Sequence, residues 1–226
     1  MSYTLYHHPL ASFCWKVVMA LHEAGLPYED RVMDLSKAEH RDELDALWPV
    51  GKFPVLRDTE RGVTVPESSI IIEHLSRHEA SAAALLPADV AIDVRLWDRV
   101  FDCYVQWPMQ KIVGDRLRPD GAHDAHGVEE AHGTLRQVWT MLEKQLAGHA
   151  ANWIVGERFT MADCAAMPAL FYASMLEPFP ADAPRLAAYF ERLVALPSAQ
   201  RVLDAARPFF PNFPFRERIP ARFLAP

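Results

Sequence analysis

The sequence is poor in the features that announce most kinds of partner. Only three cysteines occur in 226 residues, Cys14, Cys103 and Cys164. Odd in number and far apart, they suit reduced thiols in a cytoplasm rather than a disulfide framework. No basic run is present and the formal net charge is -7, which argues against nucleic acid, whose phosphates need clustered Lys and Arg. No apolar stretch approaches the length of a membrane span. The opening segment MSYTLYHHPL has no charged region followed by an apolar core, so no secretory signal is expected. Repeats and low-complexity tracts are lacking too. What remains is the balance of a folded protein: half the residues are hydrophobic and 23% are charged. The length allows one large domain or two small ones sharing an interface.

One absence is local. The stretch HPLASFCWKV (His8 to Val17) follows a strand-like segment, leads into a helical pattern and carries Cys14 near the expected helix start. Unpaired N–H groups and the helix dipole favour a thiolate there. Disulfide oxidoreductases place two cysteines at such a point, spaced CxxC. The four positions here read Ala11-Ser12-Phe13-Cys14. The first cysteine, which attacks disulfides, is missing, and a serine stands beside the gap.

The first third of the chain alternates strand and helix signals. SYTLYHH alternates like a strand; Phe13, Val17, Ala20, Leu21 and Ala24 follow helical spacing, and Gly25 with Pro27 supplies a stop. A second strand is predicted around Tyr28 to Met33, a weaker helix near His40 to Trp48, and a hairpin from PVLRD and GVTV around the turn-like TERG. Pro66 ends the hairpin, and Ser68 or Ser69 is expected to cap the next helix. After LLPAD the strand signals stop. Helical spacing runs from Val90 to Leu117 and from Val128 to Leu146. A further helix opens at FTMADCAAMPAL, with Thr160 as N-cap, Asp163 as capping-box partner and a kink expected at Pro168. The expectation is a small α/β domain of βαβαββα order over residues 1–82 and an all-α domain over 90–226.

Four motifs in this order resemble those of a cytosolic glutathione transferase, of the bacterial, serine-type, theta- or zeta-like kind. They are SFCWKVVMAL in the first helix, WPVGKFPVL entering the third strand, VPESSIIIEHL opening the third helix and FTMADCA in the helical domain. The resemblance spans nearly the whole chain. It implies a thioredoxin-like first domain, glutathione as co-substrate, a homodimer, and conjugation of glutathione to a small hydrophobic electrophile. By resemblance, Phe53 precedes a cis Pro54 and offers its backbone to the cysteine of the peptide. Glu67 and Ser68 receive the γ-glutamyl end, whose ammonium and carboxylate suit a glutamate and a helix start. Lys52 and His40 are cationic candidates for the glycine carboxylate.

Three groups compete to handle the thiol. Ser12 matches the serine of serine-type transferases and would donate a hydrogen bond to the sulfur anion, lowering its pKa. Tyr6 ends the first strand, where tyrosine-type enzymes keep their catalytic group. Cys14 holds the resolving position and reads as core, since free cysteine is among the most buried residue types; used chemically, it would make a glutathione-dependent thiol transferase. A non-catalytic module binding glutathione or another protein is a further alternative. The zeta class carries a serine at the position of Ala11, so its isomerase activity is not carried over. The electrophile is expected near Tyr104 to Met109, with the Phe- and Pro-rich tail RPFFPNFPFRERIPARFLAP as lid. No metal site is expected. His74 and His78 lack the glutamate of HExxH and read as solvated; HDAHGVEEAH, with His123, His126 and His132, reads as a loop; Cys103 and Cys164 read as core.

Overall fold

The computed structural model describes residues 2–148 and 151–224. Its first part runs β1 (Tyr3–His7), α1 (Ser12–Glu23), β2 (Glu29–Val32), α2 (Ala38–Leu47), β3 (Val55–Asp58), β4 (Val63–Pro66) and α3 (Ser68–His78). The strands form a sheet in the order β2-β1-β3-β4, with β2 parallel to β1 and the other pairs antiparallel. This is the thioredoxin-like arrangement that the βαβ–hairpin order predicts. Leu5 pairs with Leu56 at its centre, both without solvent exposure. The end of α1 is fixed by Gly25, whose φ of 64° lets Leu26 N–H return to the Leu21 carbonyl.

The second part is helical throughout its described residues: α4 (Ala91–Val100), α5 (Trp107–Arg116), α6 (Ala125–Ala147), α7 (Met161–Leu176), α8 (Pro184–Val194) and α9 (Pro197–Ala206). Nearly every residue of α7 is buried, and it packs on α1, so both parts share one core. Each fully buried side chain such as Phe171 or Leu170 contributes about 1.5–3 kcal/mol. The capping box forms as its sequence implies. Asp163 accepts from Thr160 N–H at 2.9 Å and also from Ile154 N–H and the Tyr189 hydroxyl. Burial raises the Asp163 carboxyl to about 6 against the pull of these donors. The helix runs unbroken through Pro168. Among the described residues no helix is long and apolar enough to cross a membrane.

Several expectations need correcting. The span 90–117 is not one α-helix: a π turn at Phe101–Gln106 joins α4 to α5. The wider turn keeps Asp98, Asp102 and Gln106 facing inward and turns Cys103 outward, so Cys103 is exposed rather than core. HDAHGVEEAH is no loop, because Asp124 accepts the Gly127 N–H at 2.8 Å and starts α6 at Ala125. That cap outweighs the low helix propensity of glycine. His132 then lies on the helix and meets Glu177 at 2.8 Å. His74 is not solvated; its Nε2 lies 2.8 Å from the buried Asp58 carboxylate. The tail forms short 3-10 turns, and Phe210, Phe213 and Phe223 pack on Phe171 and Tyr172 of α7, not over α4.

Candidate active site

A cleft of about 700 Å³ opens between the two parts. On one side it is lined by the β1–α1 loop through Ser12, by Lys52, Phe53 and Pro54, and by Glu67 and Ser68. On the other stand Arg99, Trp107, Met109, Val113 and Tyr172, with Phe213 of the tail. Ser12, Lys52, Phe53, Pro54, Glu67 and Ser68 therefore meet at one place although 56 positions separate the first from the last.

Ser12 is the first residue of α1 and is almost fully buried. Its hydroxyl makes no hydrogen bond within the described residues, and no side chain caps the helix. A free donor thus stands beside free backbone N–H groups at a helix N-terminus, an arrangement suited to an anion. Cys14 lies one turn inside with no exposure, and burial pushes its thiol well above the ordinary range. It is core. Tyr6 points elsewhere, into the small apolar cluster of Met33, Leu44 and Val55 against α2. Burial, with Glu43 beside it, raises its phenol further, so it is a poor source of charge.

The Phe53–Pro54 bond is cis. Phe53 lies just before β3, and its N–H and C=O make no backbone hydrogen bond within the described residues. They are open to a peptide laid alongside. Glu67, not Ser68 or Ser69, is the N-cap of α3; its φ of 68° is the single positive value among described non-glycine residues. Such a backbone costs about 1–3 kcal/mol and persists where surroundings demand it. It sets the exposed Glu67 side chain and the buried Ser68 hydroxyl side by side on the cleft wall. Lys52 lines the same wall with its side chain in solvent. His40 does not join them: it is absent from the lining, and its Nδ1 accepts the Asp34 N–H at 2.8 Å, fastening the approach to α2.

One group escapes a reading by motif. Lys16 of α1 is fully buried, with Nζ 2.5 Å from Asp98, 2.9 Å from Asp102 and 2.8 Å from the Ser69 hydroxyl. Arg99 closes the network from the cleft side, contacting Ser69, Asp98 and Asp102. Burial raises the Asp102 carboxyl while Lys16 draws it down. The network ties the starts of α1 and α3 to the helical part. The signal for it was a lysine inside the apolar run SFCWKVVMAL, since a buried cation requires partners.

The fold and cleft define a two-part protein: a thioredoxin-like half that presents a peptide-thiol site, roofed by a helical half. Residues 5–82 match the family model described as glutathione S-transferase, N-terminal domain, and residues 100–197 match the C-terminal one. Glutathione S-transferase 3 of Zea mays is 32% identical over 210 residues, covering 89% of this chain and 93% of its own. FtsZ-localized protein A of Caulobacter vibrioides is 32% identical over 171 residues, covering 72% and 73%. A solved glutathione S-transferase of Methylobacillus flagellatus with glutathione bound has the same fold, with a TM-score of 0.80 at 23% identity over 89% of this chain and 98% of that one. The chain belongs to the glutathione S-transferase family.

Proposed function

We propose that the cleft binds glutathione, ionises its thiol and directs it at a small apolar electrophile. The observation that carries this is the unpaired Ser12 hydroxyl at the start of α1, facing the same cleft as Phe53, Glu67 and Ser68. Phe53 pairs with the cysteine backbone of the peptide; Glu67 and Ser68 take the ammonium and carboxylate of the γ-glutamyl end; Lys52 takes the glycine carboxylate. The sulfur then lies by Ser12. A hydrogen bond to the anion, together with the helix dipole, stabilises the thiolate. The protein supplies no nucleophile and activates one that its substrate brings. This makes it a serine-type enzyme; a theta- or zeta-like placement rests on Ser12 and the WKV run alone. Residues 1–82 supply the glutathione half, and 90–226 the electrophile half around Trp107, Met109, Val113 and Phe213.

The pairing surface supports a homodimer. Ile70 of α3 and Ile92, Leu96 and Tyr104 along α4 and the π turn are large apolar side chains left exposed, and the tail does not cover them. A second copy across a two-fold axis would bury them. Light scattering should then give twice the 25.6 kDa chain mass; a mass that stays at 25.6 kDa on tenfold concentration would count against pairing. The three free cysteines suit a reducing, cytoplasmic setting.

The second reading, a binding module without turnover, draws on the relative named for localisation with FtsZ rather than for catalysis. Turnover with glutathione and a panel of electrophiles separates the two. Saturable conjugation supports the transferase, whereas glutathione binding without product on any electrophile supports the module.

A further inference from the structure

Buried tyrosine hydroxyls in this fold otherwise have acceptors. Tyr189 donates to Asp163 at 2.6 Å, and Tyr3 donates to Glu79 at 2.5 Å. Tyr172, in α7, is as buried as either, yet its hydroxyl has no partner within the described residues. Five other side chains share that condition: Trp48, Asp98, Asp102, Gln106 and Ser198. Of the six, Tyr172 alone also lines the cleft. Its ring is wedged between Trp15 and Phe213, with centroids 5.1 and 5.2 Å away. Phe213 itself belongs to the cleft wall. Leaving a buried hydroxyl unpaired is costly, and a core position would be served by phenylalanine. The acceptor therefore has to arrive with a ligand.

We propose that Tyr172 is a catalytic residue on the electrophile side, donating its hydroxyl hydrogen to the carbonyl oxygen of an α,β-unsaturated ketone or aldehyde. The inference rests on the transferase reading and adds to it a substrate class and a residue. Burial holds the Tyr172 phenol well above its ordinary pKa, so it remains a neutral donor wherever glutathione is a thiolate. The sulfur lone pair forms the bond to the β-carbon. The C=C pair moves between the α-carbon and the carbonyl carbon, and the carbonyl pair moves onto oxygen. That oxygen takes the negative charge the sulfur loses, and a donor already aligned in a dry wall stabilises it most. The proton that the thiol gave to solvent returns from solvent to the α-carbon. The sum is addition of one glutathione to one enone. Displacement of a halide places charge on a departing ion instead and has no fixed oxygen for Tyr172 to serve.

The test compares two electrophiles, 4-phenyl-3-buten-2-one and benzyl chloride, on the full chain and on Tyr172→Phe. With the enone, kcat/KM should fall about 10- to 100-fold, as for loss of one aligned donor. With benzyl chloride, rate and pH profile should stay within twofold, and thermal stability should not drop, since no hydrogen bond is removed. Equal losses on both electrophiles would assign the hydroxyl to sulfur or to packing and overturn the proposal. So would an unchanged enone rate, or wild-type protein that turns over the chloride but not the enone; the transferase reading survives those two results. If the wild type turns over neither, both fall.

Discussion

Lys16 Nζ stands 2.9 Å from the Asp102 carboxylate, and solvent reaches neither side chain to any useful extent. The pair joins a helix of the thioredoxin-like half to the π turn of the helical half, 86 positions away. Asp98 and Ser69 complete the coordination of the ammonium. Both ions are desolvated, so the pair holds only while each member has its partners. Lys16→Met should strand the two carboxylates with Arg99 alone and cost about 3–5 kcal/mol in urea unfolding. Adding Asp102→Leu to that variant should recover part of the loss. If Lys16→Met proves as stable as wild type, the network holds nothing together.

Ser12→Ala should lower kcat/KM for glutathione conjugation about 10- to 1000-fold at neutral pH. The alkaline rise of the pH–rate profile should move to higher pH, because the anion loses a donor while the neutral thiol loses little. Tyr6→Phe should leave both unaltered, its hydroxyl being packed against α2. The opposite pattern would return the role to Tyr6.

Glu67 combines a binding role with a strained backbone, and two substitutions pull these apart. Glu67→Gln should weaken glutathione by about 1.5–3 kcal/mol in calorimetry, the range of a charge-assisted hydrogen bond. Glu67→Gly should lose at least as much affinity while stabilising the fold by about 1 kcal/mol, since glycine tolerates a φ of 68°. Unchanged affinity in both variants would remove Glu67 from the γ-glutamyl site.

Acid stability should depend on Asp58. Burial pushes this carboxyl up, but the Arg61 N–H, His74 and the Arg61 guanidinium outweigh it and hold the carboxyl below the usual range. A folded-state pKa below the unfolded one of about 3.9 means stability present above pH 4 or so. That stability is lost as pH falls through the folded value. Asp58→Asn should therefore be less stable than wild type at pH 7, by about 2 kcal/mol. The gap should close on acidification below about pH 4. A gap constant from pH 7 to pH 3 would show that charge at Asp58 is not what stabilises β3 against α3.

The local grammar of the chain carried most of the architecture. Gly25 marks the end of α1, Thr160 and Asp163 spell the start of α7, and alternation in SYTLYHH gives β1. These are short-range effects, decided within a few residues. The cleft was legible for a different reason: Ser12, Pro54, Glu67 and Ser68 sit at element boundaries, where backbone groups are unpaired and motifs are tight. His40 lay outside any tight motif, and its ring serves its own loop. What stayed hidden depends on distant partners. Nothing near Lys16 names Asp98 and Asp102, nothing near His74 names Asp58, and nothing in VFDCYVQW announces a π turn that turns Cys103 outward. The tail's phenylalanines declared that they needed a surface, but not that α7 would be it.

The π turn at Phe101–Gln106 acts as a phase shifter in one long helical run. Upstream, Asp98 and Asp102 answer to Lys16; downstream, Trp107, Gln110 and Val113 face the cleft. Deleting a single residue between them would turn everything that follows by about 100°. Such an indel would re-aim the electrophile wall while leaving every residue of the glutathione wall in place. A lineage carrying this turn therefore holds a one-residue route to a new substrate range, with the thiol-activating half unaffected.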